Sequence, residues 1–126
     1  MIIGVGTDIV GTARIGKMLE GARGEAFLRR VLSEAERAHL ADRRLAPTRK
    51  VEFVAGRWAA KEAVSKALGC GIGASLAFHD IEVLPDELGK PCCKVRRDVA
   101  AGLRLHLSIS HADGWATAFA VAERIE

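Results

Sequence analysis

A chain of 126 residues, 49% hydrophobic and 28% charged, has the composition of one ordinary globular domain, 1–126, with a real though shallow core. No apolar run approaches the roughly 20 residues of a membrane span, and the start shows no basic segment followed by an apolar one; no membrane and no signal peptide are expected, and a cytoplasmic protein is the default. The net charge of +3 is uneven: residues 11–50 hold ten Lys and Arg against five Asp and Glu, the remainder nine against eleven, which suits either an acidic partner or a solvated helical face.

Residues 2–9 read as a strand, with Ile3, Val5 and Thr7 on one face and Ile2, Gly4, Gly6 and Asp8 on the other. A carboxylate in such a strand needs a partner, and the two glycines beside it let another backbone or a ligand come close. Residues 12–21 predict a short amphipathic helix with Ile15, Met18 and Leu19 inward, Thr12 as N-cap and Gly21 as stop. Another turn or two follows at 25–31. Ser33 and Glu36 then show the spacing of a capping box at the head of a further helix, and Pro47 marks that helix's end or the loop after it.

Residues 48–68 are the strongest helix: alanine-rich, free of proline and stopped by Gly69. GCGIG makes a glycine-rich turn. Strands are expected at 78–84 and 91–95 around a turn at 85–89, with a brief helix at 96–102. Residues 103–110 alternate, Leu103, Leu105, Leu107 and Ile109 opposing Arg104, His106, Ser108 and Ser110. Residues 111–114 form a hairpin loop, and 115–122 return with Trp115, Thr117, Phe119 and Val121 opposite four alanines. The expected fold is α+β, a mainly antiparallel sheet packed on one long central helix.

On a helical wheel of the long helix, with Val51 at zero, Glu62 falls at about 20°, beside Val51, Ala55 and Trp58. Lys50, Arg57 and Lys61 gather at roughly 240–280°, a solvated basic stripe by this geometry. Asp8 and Glu62 are then two acids that both resist solvation. They suggest a shared hard cation, Mg²⁺ above all when phosphates complete its shell. Equally open is an i, i+4 pair of Glu62 with Lys66 and a capping role for Asp8. The GCGIG turn suits close approach to phosphate or a simple helix stop, and it is not a P-loop. His111, at a strand tip after Ser108 and Ser110, is either an exposed histidine or a base or phosphate ligand. His39, His79 and His106 have no polar cluster in sequence around them. Cys70, Cys92 and Cys93 match no zinc spacing and read as small hydrophobes.

GVGTDIV at the start, FVAGRWAAKEAVSKALGCGIG in the middle and LSISHADGWATAFAV near the end resemble the holo-acyl-carrier-protein synthases, the short, single-domain branch of the phosphopantetheinyl transferases. FHDIEVLPDELGKP is also similar to that family's strand and turn before a Gly-Lys-Pro. The resemblance implies a phosphopantetheinyl transferase fold and its reaction. Coenzyme A gives its 4′-phosphopantetheine arm to a serine of apo-acyl carrier protein in fatty acid biosynthesis, and adenosine 3′,5′-bisphosphate leaves. It implies Asp8 and Glu62 as Mg²⁺ ligands, Lys66 on the phosphate under attack and His111 near the cofactor phosphates. Arg57 is similar to an arginine on the adenosine 3′-phosphate, and Gly69, Gly71 and Gly73 would line the cofactor site. Arg14 resembles part of a docking surface for an acidic carrier-protein helix, and a homotrimer with active sites between subunits is implied.

Thr7, where relatives carry a larger apolar residue, and Cys70, inside the glycine turn, depart from the family pattern. Two other classes remain beside this one. A small basic RNA-binding domain has little aromatic surface for stacking bases, since Phe and Trp make up only 5% of the chain and tyrosine is absent. A metal-free trimeric scaffold would use Glu62 and Lys66 as a structural pair. No nucleic-acid partner is expected.

Overall fold

The computed structural model describes residues 1–125. A strand, β1 (Ile2–Gly11), leads into three short helices, α1 (Thr12–Glu20), α2 (Gly24–Val31) and α3 (Glu34–Arg43), and then the long α4 (Pro47–Leu68). A 3₁₀ turn at Phe78–Asp80 precedes the hairpin β2 (Ile81–Pro85) and β3 (Pro91–Val95). A second 3₁₀ turn, Asp98–Ala100, leads to β4 (Leu103–Ala112) and β5 (Trp115–Arg124). The sheets are antiparallel, one in the order β1-β5-β4 and one made of β2 and β3.

The helix α4 is the axis of the molecule because its residues are small enough for other elements to close on it from several sides. The alanines of β5, Ala116, Ala118, Ala120 and Ala122, are all buried. Beside them, β1 lays its backbone directly on the helix: a Cβ on Gly4 would come within 2.0 Å of the Ala67 carbonyl oxygen, and one on Gly6 within 2.0 Å of that of Ala63. The two glycines therefore serve the close approach of another backbone. Ile15, Phe27, Val31, Leu32, Leu76, Phe78, Ile81 and Val83 fill the rest of the core, with Trp58 between Phe27 and Phe78.

This wrapping overturns the solvated basic stripe. Lys61 is fully buried and Arg57 half-buried, and of the three only Lys50 is exposed. The wheel has no outward side there, since α2, α3 and β2 pack against it. Pro47 opens α4 instead of closing α3, its missing N–H costing nothing at the first helical position. Thr12 does not cap α1: Gly11 holds that position and the Thr12 hydroxyl donates to the Gly114 carbonyl. The strand expected from residue 78 starts at Ile81, because Asp80 accepts the Ala77 N–H and closes a 3₁₀ turn. The expected loop at 111–114 narrows to Asp113–Gly114, both at positive φ (49° and 80°), and His111 stays within β4. The capping box of Ser33 and Glu36 forms as its spacing predicts.

The other face of the β1-β5-β4 sheet is open. Ile3, Val5 and Ile9 from β1 and Trp115 and Phe119 from β5 are 40–62% exposed on it. Among the described residues, no helix is long and apolar enough to cross a membrane.

Candidate active site

The alternation of β1 puts Asp8 on the same face as Gly4 and Gly6, the face pressed against α4. With no side chains holding strand and helix apart, Asp8 arrives beside the turn of α4 that carries Glu62 and Lys66. The Lys66 ammonium donates to Asp8 Oδ1 at 3.2 Å and to the Thr7 carbonyl at 2.9 Å. The Thr117 hydroxyl donates to the Asp8 carbonyl at 3.0 Å and fixes the strand from β5. Asp8 caps neither helix nor turn; it stands inside β1 opposite Ala118. Lys66 pairs with Asp8 across the fold instead of with Glu62 one turn back.

Glu62 is half-buried on the same side. Burial holds its carboxyl above the usual range, and the nearby Asp8 charge adds to that, against the opposing pull of Lys66 and Arg14. Arg14 reaches over from α1, its guanidinium 5.5 Å from the centre of the Trp58 ring. Two carboxylates and two cations thus share one edge of the molecule, where α1, β1 and α4 meet.

The other implied residues stand apart from this cluster. His111 Nε2 lies 2.8 Å from the Glu52 carbonyl oxygen, over Gly56, whose Cβ would meet that nitrogen at 2.8 Å. A carbonyl only accepts, so Nε2 carries the proton and Nδ1 of the neutral ring keeps its lone pair. Gly56 lies roughly 9 Å along α4 from Glu62. Arg57 faces a different side of α4: its Nε donates to the Val83 carbonyl at 3.2 Å and its guanidinium lies over Phe53 at 4.3 Å. Burial lowers its pKa, with Glu36 opposing and Arg43 reinforcing.

In the glycine turn, Gly69 and Gly71 have φ of 82° and 69°, a backbone that L side chains rarely adopt; Gly73 does not. The N–H groups of Gly69, Gly71 and Gly73 donate to Lys66, Ser65 and Leu76 carbonyls. The turn offers an open approach one turn beyond Lys66, while those amides are committed within the chain.

One polar centre escaped the sequence reading. Glu36 and Lys61, both fully buried, pair at 2.6 Å. The ammonium also donates to the Val31 and Phe78 carbonyls, and Glu36 accepts the Ser33 and Val83 amides. The capping box gave Glu36 one task; nothing in the spacing reveals its second oxygen or a lysine turned inward. Of the cysteines, Cys93 alone is partly buried; burial pushes its thiol up to about 12, while Cys70 and Cys92 are exposed.

Residues 4–120 match the 4′-phosphopantetheinyl transferase superfamily. The chain belongs to that superfamily and, within it, to the holo-acyl-carrier-protein synthases. The synthase of Geobacillus kaustophilus is 50% identical over 125 residues, covering 99% of this chain and 92% of that one. A crystal structure of the Bacillus anthracis synthase in complex with CoA (3′,5′-ADP) superposes with a TM-score of 0.86 at 45% identity, covering 98% of each chain. The Helicobacter pylori synthase in complex with coenzyme A superposes at 0.83 with 35% identity, covering 94% of this chain and 99% of that one.

Proposed function

We propose that this chain transfers the 4′-phosphopantetheine group from coenzyme A to a serine of apo-acyl carrier protein, releasing adenosine 3′,5′-bisphosphate. The observation that carries the mechanism is the convergence of Asp8 and Glu62, 54 positions apart in sequence, on one edge with Lys66 and Arg14. Glu62, raised by burial and then by Asp8, makes with it an acidic pair that Lys66 and Arg14 do not fully offset. Its oxygens are donors of the kind Mg²⁺ takes, and among the described residues no third acid, histidine or cysteine completes a protein cage. That fits an ion whose remaining positions belong to phosphate and water.

Asp8 and Glu62 would hold Mg²⁺, which when bound supplies charge compensation on the diphosphate. Lys66, on a long and half-exposed side chain, reaches toward the phosphate under attack and offsets the charge on the leaving bisphosphate. His111, with Nδ1 free, presents a lone pair or, when protonated, a charge to the cofactor phosphates. Arg57 meets the adenosine 3′-phosphate, and the turn at 69–73 lines the approach. Arg14 and the basic segment around it receive the acidic helix of the carrier protein.

Because His111 and Arg57 stand away from the Asp8 cluster, a site that uses them all is best completed between subunits. The open apolar face of the sheet supports a homotrimer of single-domain subunits, 1–126. Such an enzyme would work in the cytoplasm, in fatty acid biosynthesis. The test is direct: incubation with coenzyme A, Mg²⁺ and an apo-acyl carrier protein should add the mass of the phosphopantetheine arm. No mass gain with carrier proteins of either fatty acid or polyketide type overturns the reading.

A further inference from the structure

The Lys66 ammonium lies on a carboxylate assigned above to the metal. Its two partners, Asp8 Oδ1 and the Thr7 carbonyl, differ in how firmly they are held. Asp8 is the fixed member: its side chain is 18% exposed, its carbonyl is held by Thr117, and its strand lies on α4 through Gly6. Lys66 is the movable one, with 51% of its side chain exposed on a flexible stem. An ion pair of this exposure is held by no more than about 1 kcal/mol, so it breaks readily. The ammonium is also drawn to Asp8 across the fold and not to Glu62 on its own helix, so it covers one ligand of the pair and leaves the other.

Resting on the metal reading of Asp8 and Glu62, we propose that Lys66 is an exchangeable counter-ion for Asp8, which competes with the divalent cation for that carboxylate. A diphosphate is a stronger partner for an ammonium than a single half-screened carboxylate. Coenzyme A therefore draws Lys66 away from Asp8 and opens the carboxylate to the metal. Metal and coenzyme A then bind with positive coupling, each strengthening the other by the same factor. The residue that meets the phosphate is the residue that keeps a bare cation out.

The probe is Mn²⁺, followed by the electron paramagnetic resonance signal of the free ion, with no turnover involved. Lys66→Met is expected to bind Mn²⁺ alone up to about fivefold more tightly than the wild type, the effect of removing a competing ion pair worth about 1 kcal/mol. Coenzyme A should strengthen Mn²⁺ binding by a clearly larger factor in the wild type than in the variant. Lys66→Gln should behave as Lys66→Met does, and circular dichroism melts of both should match the wild type, since the side chain is half in solvent. Arg14→Gln separates contact competition from general field effects: its guanidinium lies over Trp58 while Lys66 bonds Asp8 directly, so its gain should be clearly smaller than that of Lys66→Met at the same salt. Equal Mn²⁺ affinities for wild type and Lys66→Met overturn the inference and leave the metal reading standing. So does a gain that Arg14→Gln matches at the same salt. A wild type that takes up no Mn²⁺ even with coenzyme A overturns both.

Discussion

Glu62, the metal ligand proposed above, works against the fold. Its carboxyl is raised, first by burial and then by Asp8, so the folded state disfavours the ionised form. A group with a raised folded-state pKa contributes stability only below its unfolded value, and loses it as pH rises through the folded one. At neutral pH the charged Glu62 is therefore a burden. Glu62→Gln should raise the midpoint of thermal unfolding at pH 7 while lowering Mg²⁺-dependent transfer by at least about a hundredfold. A variant that keeps its rate removes Glu62 from the metal. In the metal-free protein the thermal midpoint should fall as pH rises through the Glu62 titration, and Glu62→Gln should flatten that fall. Cys93 carries a complementary expectation. With its thiol pushed up to about 12, it should resist alkylation in the native protein while exposed Cys70 and Cys92 react, and peptide mapping of labelled protein reads this.

Between β1 and α4 there is no layer of side chains. Gly6→Ala would place a methyl 2.0 Å from the Ala63 carbonyl, and neither backbone can yield without dragging its element. A loss of about 3 kcal/mol in denaturant unfolding is expected, with transfer impaired because Asp8 moves with the strand. Lys61→Met should cost about 3–5 kcal/mol, since it strands the buried Glu36 carboxylate. Both contacts mark where sequence reasoning succeeded and where it ran out. The glycines in GVGTD signalled a close approach because a missing Cβ has few other uses in a strand. That Asp8 and Glu62 belong near one another was legible because a carboxylate among apolar or glycine neighbours demands an explanation. Lys61 was not, because an inward lysine obeys the same spacing as an outward one; only the elements packed on α4 decide which it is. The register that turns His111 toward Glu52 was hidden for a similar reason. Loop length in β4–β5 sets it, and the positive φ at Asp113 allowed a tighter loop than HADG suggested.

At the scale of the molecule the sheet is two-faced: alanine against α4, large apolar side chains against water. Ile3, Val5, Ile9, Trp115 and Phe119 make a patch of the kind that single soluble chains seldom leave uncovered. If the proposed homotrimer buries it, Val5→Arg should shift sedimentation from three copies to one without unfolding the subunit, because the alanine-lined core lies on the other side. Transfer should fall with it if His111 and Arg57 act across the boundary. A trimer that survives Val5→Arg places the contact elsewhere. Such a two-sided sheet would also make the catalyst answer to its own abundance. Below the concentration at which copies find one another, each newly made subunit would be a sound but idle part, and rate would climb more steeply than enzyme added until assembly saturates.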